Sequence, residues 1–418
     1  MTLALEHREP DRVPLDLGGS SVTGMHVSRV YALRQALNLD PPGTPVKVME
    51  PFQMLGEIGP DLRKVLRVDV VRLAAPTTNF GFRFENWKPW RLFDGTPVLV
   101  PGGFNTRPNE RGDILMYPEG DSTVPPSAMM PKGGFYFDAI AREQPLKDSN
   151  MNPQDNLEEY GMVSEDDLKH YRYETERLFN ETDNAILAHF GGSSFGDIAL
   201  IRGMRLKYPR GIRDPKEWYA SHITRPDYVY RVFQKQSELA IANLARIHEV
   251  VGDRIAAVFV TGTDFGMQRG SIMSNSMYRK FYLPFHKAVN DWIHEHAPWK
   301  TFIHSCGSIE PLIREFIEAR FDIINPIQTS AVNMDLRKLK EKYGHKLTFW
   351  GGGVDTQSTL PFGTPEQIRK EVRERIRVLG TGGGFVFSAI HNIQPEVPVQ
   401  NILAIYEALH EHDNYPIG

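Results

Sequence analysis

The sequence places a histidine and the only cysteine of the chain two residues apart, at the end of an apolar run. These residues are His304 and Cys306, and the run covers positions 300–305. If the run is a β-strand, side chains at i and i+2 leave the same face, so the imidazole and the thiolate converge. Both groups are ligands for zinc, which favours nitrogen and sulfur donors. A buried cysteine beside a hydrogen-bonded core histidine is the open alternative, because cysteine is among the most buried residue types.

Other polar groups also follow apolar runs. Asp264 comes after the run 256–261 and could act as a base, orient a ligand or cap the next helix. The triplet Gly351–Gly353 could cradle an anion or form a tight turn. His391 follows the run 384–388, where a functional role and a structural role in a loop are both open. Polar and small residues that cluster where apolar strands end are typical of an active-site rim.

The position of these residues depends on a repeated order of strand and helix. Strand-like runs cover 13–17, 68–73, 185–190, 256–261, 300–305, 321–325, 346–350 and 384–388. Helix-like stretches that follow them cover 27–37, 164–180, 226–250, 277–296, 309–320, 334–343, 365–379 and 399–410. Repeated β-then-α units predict parallel strands joined by right-handed crossovers. Eight such units predict an α/β fold, a closed (β/α)8 TIM barrel.

An open, doubly wound parallel sheet is the competing fold for the same alternation. That fold usually carries a glycine-rich phosphate-binding turn after its first strand. Here the position reads Gly18-Gly-Ser-Ser21, which does not match that turn. We therefore predict the barrel, in which every strand is paired and no edge is left.

Residues 79–162 interrupt the alternation after the second strand. This stretch is rich in proline, glycine, asparagine and aromatic residues, and Asp94-Gly95 between strand-like runs indicates a β-hairpin. A structureless loop of this length would be unusual, so we predict an insertion of β-hairpins and loops that packs as a cap over the barrel mouth. The predicted organisation is one barrel domain over 1–418 with this cap inserted in it.

The composition excludes several classes of protein. The chain has 418 residues, of which 48 are Lys or Arg and 52 are Asp or Glu, giving a formal net charge of −4. Such a balance, with 41% hydrophobic residues, is typical of a folded globular protein. It predicts no nucleic-acid partner, because no positive excess is available to neutralise phosphates. No run approaches the roughly 18 apolar residues of a membrane helix, and a lone cysteine forms no intramolecular disulfide, so we expect a cytoplasmic protein without membrane contact.

Several short motifs resemble the uroporphyrinogen decarboxylase-like superfamily. They are Pro10-Asp-Arg-Val-Pro14, Thr263-Asp-Phe-Gly-Met-Gln268, His304-Ser-Cys-Gly307, Asp322-Ile-Ile-Asn-Pro-Ile-Gln328, Phe349-Trp-Gly-Gly-Gly-Val-Asp-Thr-Gln357 and His391-Asn-Ile-Gln-Pro-Glu-Val-Pro398. The similarity runs through predicted strands four to eight and touches the N-terminus, whereas the insertion is not covered. The resemblance implies a (β/α)8 barrel, in agreement with the count of βα units.

Within that superfamily the chain resembles the corrinoid-dependent methyltransferase branch. True decarboxylases carry an arginine-rich Met-Arg-Gln-Ala-Gly-Arg segment just after strand one, and here the nearest text is Val22-Thr-Gly-Met-His26. The methyltransferase branch uses His-x-Cys after strand five, which matches His304 and Cys306, with a further cysteine ligand after strand eight. Aligning Pro398-Val-Gln-Asn401 with that branch places His391 at the position of this cysteine. The resemblance thus implies a His2Cys zinc site with an open fourth position.

The resemblance also implies roles for residues around this site. Gln328 falls near the position of a glutamate ligand in methionine synthases, although an amide would ligate poorly. The predicted catalytic residues are Asp264 and Gln328, the predicted substrate-binding residues are Met267, Gln268, Asn325 and Asp355, and the predicted zinc ligands are His304, Cys306 and His391. Asp355 is also expected to orient a ligand histidine.

The function implied is zinc-assisted transfer of a methyl group between a small O-, N- or S-methyl compound and the cobalt of a corrinoid. The corrinoid is expected on a separate partner protein, because the sequence has no Asp-x-His-x-x-Gly carrier motif. A metal-independent decarboxylase or lyase of a small carboxylic acid is the first alternative and would use Arg202, Arg205 or Arg269. A degenerate barrel that acts as a binding or regulatory subunit is the second. The oligomeric state stays open, with a homodimer as the candidate assembly.

Overall fold

Parallel β-strands form a curled seven-stranded sheet in the computed structural model, which describes residues 1–142 and 148–417. Its strands, numbered along the chain, are β3 (Val70–Leu73), β10 (Ala185–Ala188), β11 (Ala257–Thr261), β14 (Lys300–His304), β15 (Ile323–Asn325), β16 (Thr348–Trp350) and β17 (Phe385–Val386). They lie side by side in this order, so each strand pairs with the one that precedes it in the barrel sequence. Short apolar runs between turns form these strands because both of their faces are buried.

The segment 13–17 closes the sheet into the predicted barrel. Leu15 pairs in parallel with Phe387 on one side, and the backbone N–H of Asp69 donates to the carbonyl of Leu15 on the other. The Asp69 carboxylate accepts two hydrogen bonds from the Arg12 guanidinium, at 2.8 and 2.6 Å, and a third from the backbone of Leu15 at 2.7 Å. The ion pair between Asp69 and Arg12, which belongs to the motif Pro10–Pro14, thus holds the segment 13–17 against the start of β3. The (β/α)8 fold predicted from the sequence is confirmed, although its first strand is a single bridge.

The barrel interior is filled by side chains. One buried layer takes a residue from each parallel strand, and the short helix at the N-terminus adds another from below. These residues are Leu5, Val70, Leu187, Ala257, Phe302, Ile323, Trp350 and Val386. Because this layer leaves no channel through the barrel, ligands can reach only the C-terminal ends of the strands, as is usual for this fold.

Helices form in each of the eight predicted stretches and, in the described part of the chain, at five further places. They are α1 (Thr2–Leu5), α2 (Val27–Ala36), α3 (Pro60–Leu66), α4 (Glu165–Glu181), α5 (Ile198–Ile201), α6 (Pro215–Thr224), α7 (Pro226–Val251), α8 (Asn275–Phe281), α9 (Leu283–His296), α10 (Ile313–Glu318), α11 (Leu336–Tyr343), α12 (Thr359–Phe362), α13 (Pro365–Arg375) and α14 (Val399–His412). The five that were not predicted are α1, α3, α5, α6 and α12. Helix α13 begins with a capping box between Thr364 and Gln367. The predicted helix over 277–296 is divided in two, because Pro284 opens a new helix. Across the described ranges, no helix has the length and apolar character that crossing a membrane would require.

Two small four-stranded sheets, one mixed and one antiparallel, lie beside the barrel. The first contains β1 (Val46–Glu50), β2 (Leu55–Gly56), β4 (Lys88–Arg91) and β5 (Pro97–Val100), and the second contains β6 (Thr106–Pro108), β7 (Ile114–Met116), β8 (Ala128–Met130) and β9 (Asp138–Ala139). A two-residue pair, β12 (Gly266–Met267) and β13 (Gly270–Ser271), completes the strands. Asp94 and Gly95 lie in the turn between β4 and β5. Because β1 pairs in parallel with β5, residues ahead of position 79 join strands of the inserted stretch, and the domain boundaries 79–162 stay a prediction.

Candidate metal centre

Three potential metal ligands converge at the C-terminal ends of the barrel strands. His304 ends β14, Cys306 follows two residues later, and His391 lies in the loop after β17. Their ligand atoms all lie within 4.8 Å of one another. Sγ of Cys306 is 3.4 Å from Nε2 of His304, and the two imidazole centroids are 5.6 Å apart. Zinc binds sulfur at about 2.3 Å and imidazole nitrogen at about 2.0 Å, so these donors can share one ion after small side-chain adjustments.

The His304 ring is held in the tautomer that a metal requires. Its Nδ1 lies 2.6 Å from Oδ1 of Asn325, while Nδ2 of Asn325 donates to the carbonyl of Trp350 at 2.7 Å. Since the amide nitrogen is used by Trp350, Oδ1 must face His304 and accept a proton from Nδ1. Nε2 then carries the lone pair and faces Sγ of Cys306. Such outer hydrogen bonds commonly orient histidine ligands in metal sites.

The electrostatic environment of His304, Cys306 and His391 favours the binding of a cation. Burial raises the pKa of the Cys306 thiol well above its usual value, and the neighbouring Asp264 carboxylate acts in the same direction. Oδ1 of Asp264 accepts a hydrogen bond from the backbone of Cys306 at 2.7 Å and lies 3.8 Å from Nε2 of His304. Burial lowers the pKa of His391 to about 3, so its imidazole is neutral at physiological pH. The neutral imidazole of His391, Nε2 of His304 and a thiol that only a nearby positive charge would deprotonate are the donor set of a zinc site.

A cavity of about 580 Å³ opens beside the cluster. Its wall includes His304, His391 and Asp264. Aromatic side chains line much of the rest, namely Phe52, Phe84, Tyr136, Phe137 and Phe259. Since Phe84, Tyr136 and Phe137 belong to the stretch 79–162, that stretch contributes to the walls of the cavity. A small organic molecule would therefore meet aromatic surfaces together with several charged and polar groups.

Two of the remaining predicted site residues support the cluster from outside the cavity. Gln328 is buried, and its Oε1 accepts from the backbone of Gly307 at 2.7 Å, which holds the loop that carries Cys306. Asn325 was predicted to bind substrate, but both ends of its amide are used by His304 and Trp350. Neither residue lines the cavity, so both act on the positions of other groups.

The other predicted substrate-binding residues lie elsewhere. Met267 is 65% exposed on the short hairpin of β12 and β13, and Nε2 of Gln268 donates to Oε1 of Gln357 at 2.6 Å. The carboxylate of Asp355 accepts from the backbone of Gln357 and the hydroxyl of Ser358, both at 2.7 Å, and so does not orient a histidine. Among the described residues that form the cavity wall, Met267, Gln268 and Asp355 are absent, because the hairpin and the turn direct them away.

Five acidic or basic residues of the cavity wall lie outside the predicted catalytic, substrate-binding and metal-ligand residues, and they are Glu50, Arg72, Asp138, His189 and Asp197. Arg72 could have been noticed, because a charged residue in the middle of the apolar run 68–73 is costly in a buried strand unless it has a use. His189 likewise ends an apolar run. Asp197 follows a glycine-rich stretch in which neither periodicity nor a motif marked it.

Asp197 makes the stability of the protein depend on pH. Burial raises the pKa of this carboxyl to about 7, with the charge of Asp264 adding to the effect. Below about pH 4 the group is protonated in the folded and unfolded chains alike. As the pH rises toward 7, the folded protein holds the proton more tightly, so stability is lost. We expect Asp197→Asn, which keeps the acceptor for the backbone of Ala199, to stabilise the chelator-treated protein by about 1–3 kcal/mol at pH 8 and little at pH 4.

Urea unfolding at both pH values measures this effect. Asp253→Asn is the control, because that aspartate is largely exposed. An equal effect of Asp197→Asn at pH 4 and pH 8 would contradict the assignment of a raised pKa.

The comparisons with known proteins agree with the barrel. The sequence model of the family described as uroporphyrinogen decarboxylase (URO-D) matches residues 151–412. A uroporphyrinogen decarboxylase from Pseudoalteromonas translucida is 28% identical over 200 residues, which cover 43% of this chain and 52% of that protein. Another, from Actinobacillus succinogenes, is 34% identical over 79 residues, or 19% of this chain and 22% of that protein. The first match therefore spans about half the length of the curated relative.

A solved structure extends the likeness to the whole chain. The methyltransferase from Methanosarcina mazei superposes with a TM-score of 0.53 at 14% sequence identity. The superposition covers 98% of this chain and 96% of that one. At this identity the likeness establishes the shared fold.

Proposed function

Because this chain belongs to the uroporphyrinogen decarboxylase family, we propose that it is a zinc-dependent methyltransferase built on that family's barrel. It moves a methyl group between a small O-, N- or S-methyl compound and the cobalt of a corrinoid that a separate protein carries. The convergence of His304, Cys306 and His391 within 4.8 Å carries this proposal. A methyltransferase with the same fold supports it.

The residues of the proposed site have different roles in this reaction. His304, Cys306 and His391 hold the zinc, and Asn325 keeps the lone pair of His304 directed at it. When bound, zinc supplies a Lewis acid that polarises the heteroatom of the methyl compound or keeps a thiol acceptor deprotonated. The aromatic walls of the cavity exclude water from the methyl group. These walls also leave one open side, over which the corrinoid protein would dock.

In the demethylating direction, the bond between the methyl carbon and its heteroatom breaks and a carbon–cobalt bond forms. The electron pair stays on the heteroatom, which then takes a proton. Asp197 lines the cavity and has a pKa of about 7, so its carboxyl can hold that proton near neutral pH and release it to the leaving group. The Asp264 side chain lies beside the zinc ligands, where its carboxylate would offset the charge of the metal.

A metal-independent decarboxylase of a small carboxylic acid is the second candidate, because it needs a cation in the cavity. Of the arginines predicted for this role, Arg202 is bound to the carbonyl of Ala139, Arg205 lines a neighbouring cavity, and Arg269 is exposed. Arg72 does line the cavity with the histidines, and this observation favours a substrate with a carboxylate. The two candidates differ in whether Cys306 and zinc are required.

The test uses free cob(I)alamin in place of the corrinoid protein. Zinc-loaded full-length protein is mixed with it and with methoxybenzene, trimethylamine, dimethyl sulfide or 4-methoxybenzoate, and methylcobalamin is followed by absorbance. We expect formation from at least one donor at a rate at least about 100-fold above that of Cys306→Ser, in the range that removal of a catalytic group costs. No methyl transfer above the Cys306→Ser background contradicts the proposal. Release of CO2 from the acid by chelator-treated protein would support the decarboxylase instead.

A further inference from the structure

The cavity contains a cation that has no partner. Arg72 lies in β3 between apolar neighbours, and its side chain lines the cavity. Within residues 1–142 and 148–417, its guanidinium makes no hydrogen bond or ion pair, and its Nε atom is buried without any partner. The side chain is half-buried, and a guanidinium carries five N–H donors and stays charged, so leaving its buried part unpaired is costly. An arginine without a protein partner is expected where a bound ligand supplies the missing hydrogen-bond acceptors.

The carboxylate of Glu50, which also lines the cavity, does not satisfy Arg72. Glu50 interacts with it through space, but no oxygen of Glu50 lies within ion-pair distance. The oxygens of Glu50 accept from the backbone of Phe52 at 3.2 Å, the backbone of Gln53 at 2.6 Å and the side chain of Asn79 at 3.4 Å. Glu50 thus lowers the cost of burying the cation at a distance and leaves its donors free for another acceptor.

A row of rings leads from Arg72 toward the metal ligands. His189 follows β10, the strand next to β3, and stacks on Phe259 of β11 with centroids 4.1 Å apart. Phe259 in turn lies parallel to the ring of His304, with centroids 6.5 Å apart. Nε2 of His189 is buried and has no partner among the described residues, so a second unused polar atom lies along the same row.

We propose that the substrate is an aromatic carboxylate that carries the methyl group, with its carboxylate bound to Arg72 and its ring directed along this row toward the zinc ligands. The identification of the methyl donor rests on the proposed function, whereas the anion site does not. An arginine pairs with a planar carboxylate through two parallel hydrogen bonds. The aromatic lining by Phe52, Phe84 and Tyr136 suits a flat ring.

In this proposal the methyl–oxygen bond of an aromatic methyl ether breaks, and the methyl carbon bonds to the cobalt of the corrinoid, where cobalt(I) supplies the electron pair of the new bond and becomes cobalt(III). The electron pair stays on oxygen, which takes a proton and leaves a phenol. Arg72 holds the far end of the molecule and touches no reacting atom. Its contribution is therefore to binding and orientation, and the zinc ligands act on the other end.

Isothermal titration calorimetry on the zinc-loaded full-length protein tests the anion site. The probes are 4-methoxybenzoate and its uncharged analogue 4-methoxybenzamide. We expect wild-type protein to bind the carboxylate at least about 10-fold more tightly than the amide, since charge-assisted hydrogen bonds are about twice as strong as neutral ones. Arg72→Met should abolish this preference, and Arg72→Lys should keep part of it. Arg337→Met, which removes a largely exposed arginine outside the cavity, should leave it unchanged.

Arg72→Met should fold, because the methionine replaces an unpaired, half-buried charge, and a melting temperature no lower than that of wild type checks this. Equal binding of carboxylate and amide by wild-type protein overturns the proposal, as does an unchanged preference in Arg72→Met. Inorganic phosphate that displaces 4-methoxybenzoate at lower concentration than benzoate does would also overturn it, since the site would then be built for phosphate.

The anion site and the proposed function can fail separately. Binding that depends on Arg72 without any methylcobalamin formation would leave the anion site standing and contradict the methyltransferase. Methyl transfer from neutral donors that Arg72→Met does not slow, together with equal binding of carboxylate and amide, would leave the methyltransferase standing and contradict the anion site.

Discussion

Replacing Cys306 with serine is expected to lower the affinity for zinc by more than about 100-fold. Loss of a group that merely orients a zinc ligand already costs about 10–100-fold, and the cysteine is the one thiolate among the three ligands that converge here. A serine hydroxyl is nearly isosteric but does not ionise at neutral pH, so it would leave two imidazoles. Zinc content after purification without chelator, followed by competition with a chromophoric chelator, measures the effect.

The loss must be distinguished from unfolding and from weak surface binding. Since burial keeps the Cys306 thiol protonated in the absence of a cation, Cys306→Ser should change the stability of chelator-treated protein by less than about 1 kcal/mol. His391→Ala should lower zinc affinity as well, whereas His345→Ala, at an exposed position, should not. Cobalt(II) in place of zinc should give a thiolate-to-metal absorption band in wild type and none in Cys306→Ser. Stoichiometric zinc in Cys306→Ser would refute the ligand assignment.

The parallel barrel could be predicted from local sequence, and the sheet beside it could not. Strands such as β11 and β14 are short apolar runs between turns, and both faces of each are buried, so the residue types alone mark them. The run 13–17 is apolar for the same reason. It nevertheless forms only one bridge, between Leu15 and Phe387, and this difference from the other strands could not be predicted from its residue types. Strand β1 went unnoticed because its burial alternates, as in a half-exposed strand, and its partner β5 lies far along the chain.

The functional site also contains some features that the sequence predicts and others that it does not. The spacing of His304 and Cys306 within one strand end determined their convergence, and a motif located His391. The hydrogen bonds of Asn325 to His304 and Trp350 could not be predicted, because these partners lie on two other strands that the sequence does not place beside it. Arg72 was missed because its lack of a partner becomes visible only when the whole cavity is assembled.

Asn325→Leu is expected to lower zinc affinity by about 10–100-fold, the range found when the partner of a ligand histidine is removed. Leucine has nearly the same shape but cannot accept from Nδ1 of His304, so the ring can rotate or change tautomer and Nε2 is no longer held toward Cys306. The carbonyl of Trp350 also loses its donor. We therefore expect a loss of about 1–3 kcal/mol in the free energy of unfolding as well.

A second buried asparagine separates the metal effect from the stability effect. Asn401, 1% exposed on α14, donates to the carbonyls of Leu360 and Gly363, so Asn401→Leu should also destabilise the protein while leaving zinc affinity unchanged. Asn325→Asp keeps an acceptor for Nδ1 of His304 and should retain zinc within about 10-fold of wild type, because carboxylates orient ligand histidines in many zinc sites. Chelator competition on all three variants, with urea unfolding in parallel, gives both quantities. If Asn325→Leu and Asn401→Leu bound zinc equally well, Asn325 would be a structural residue with no part in positioning His304.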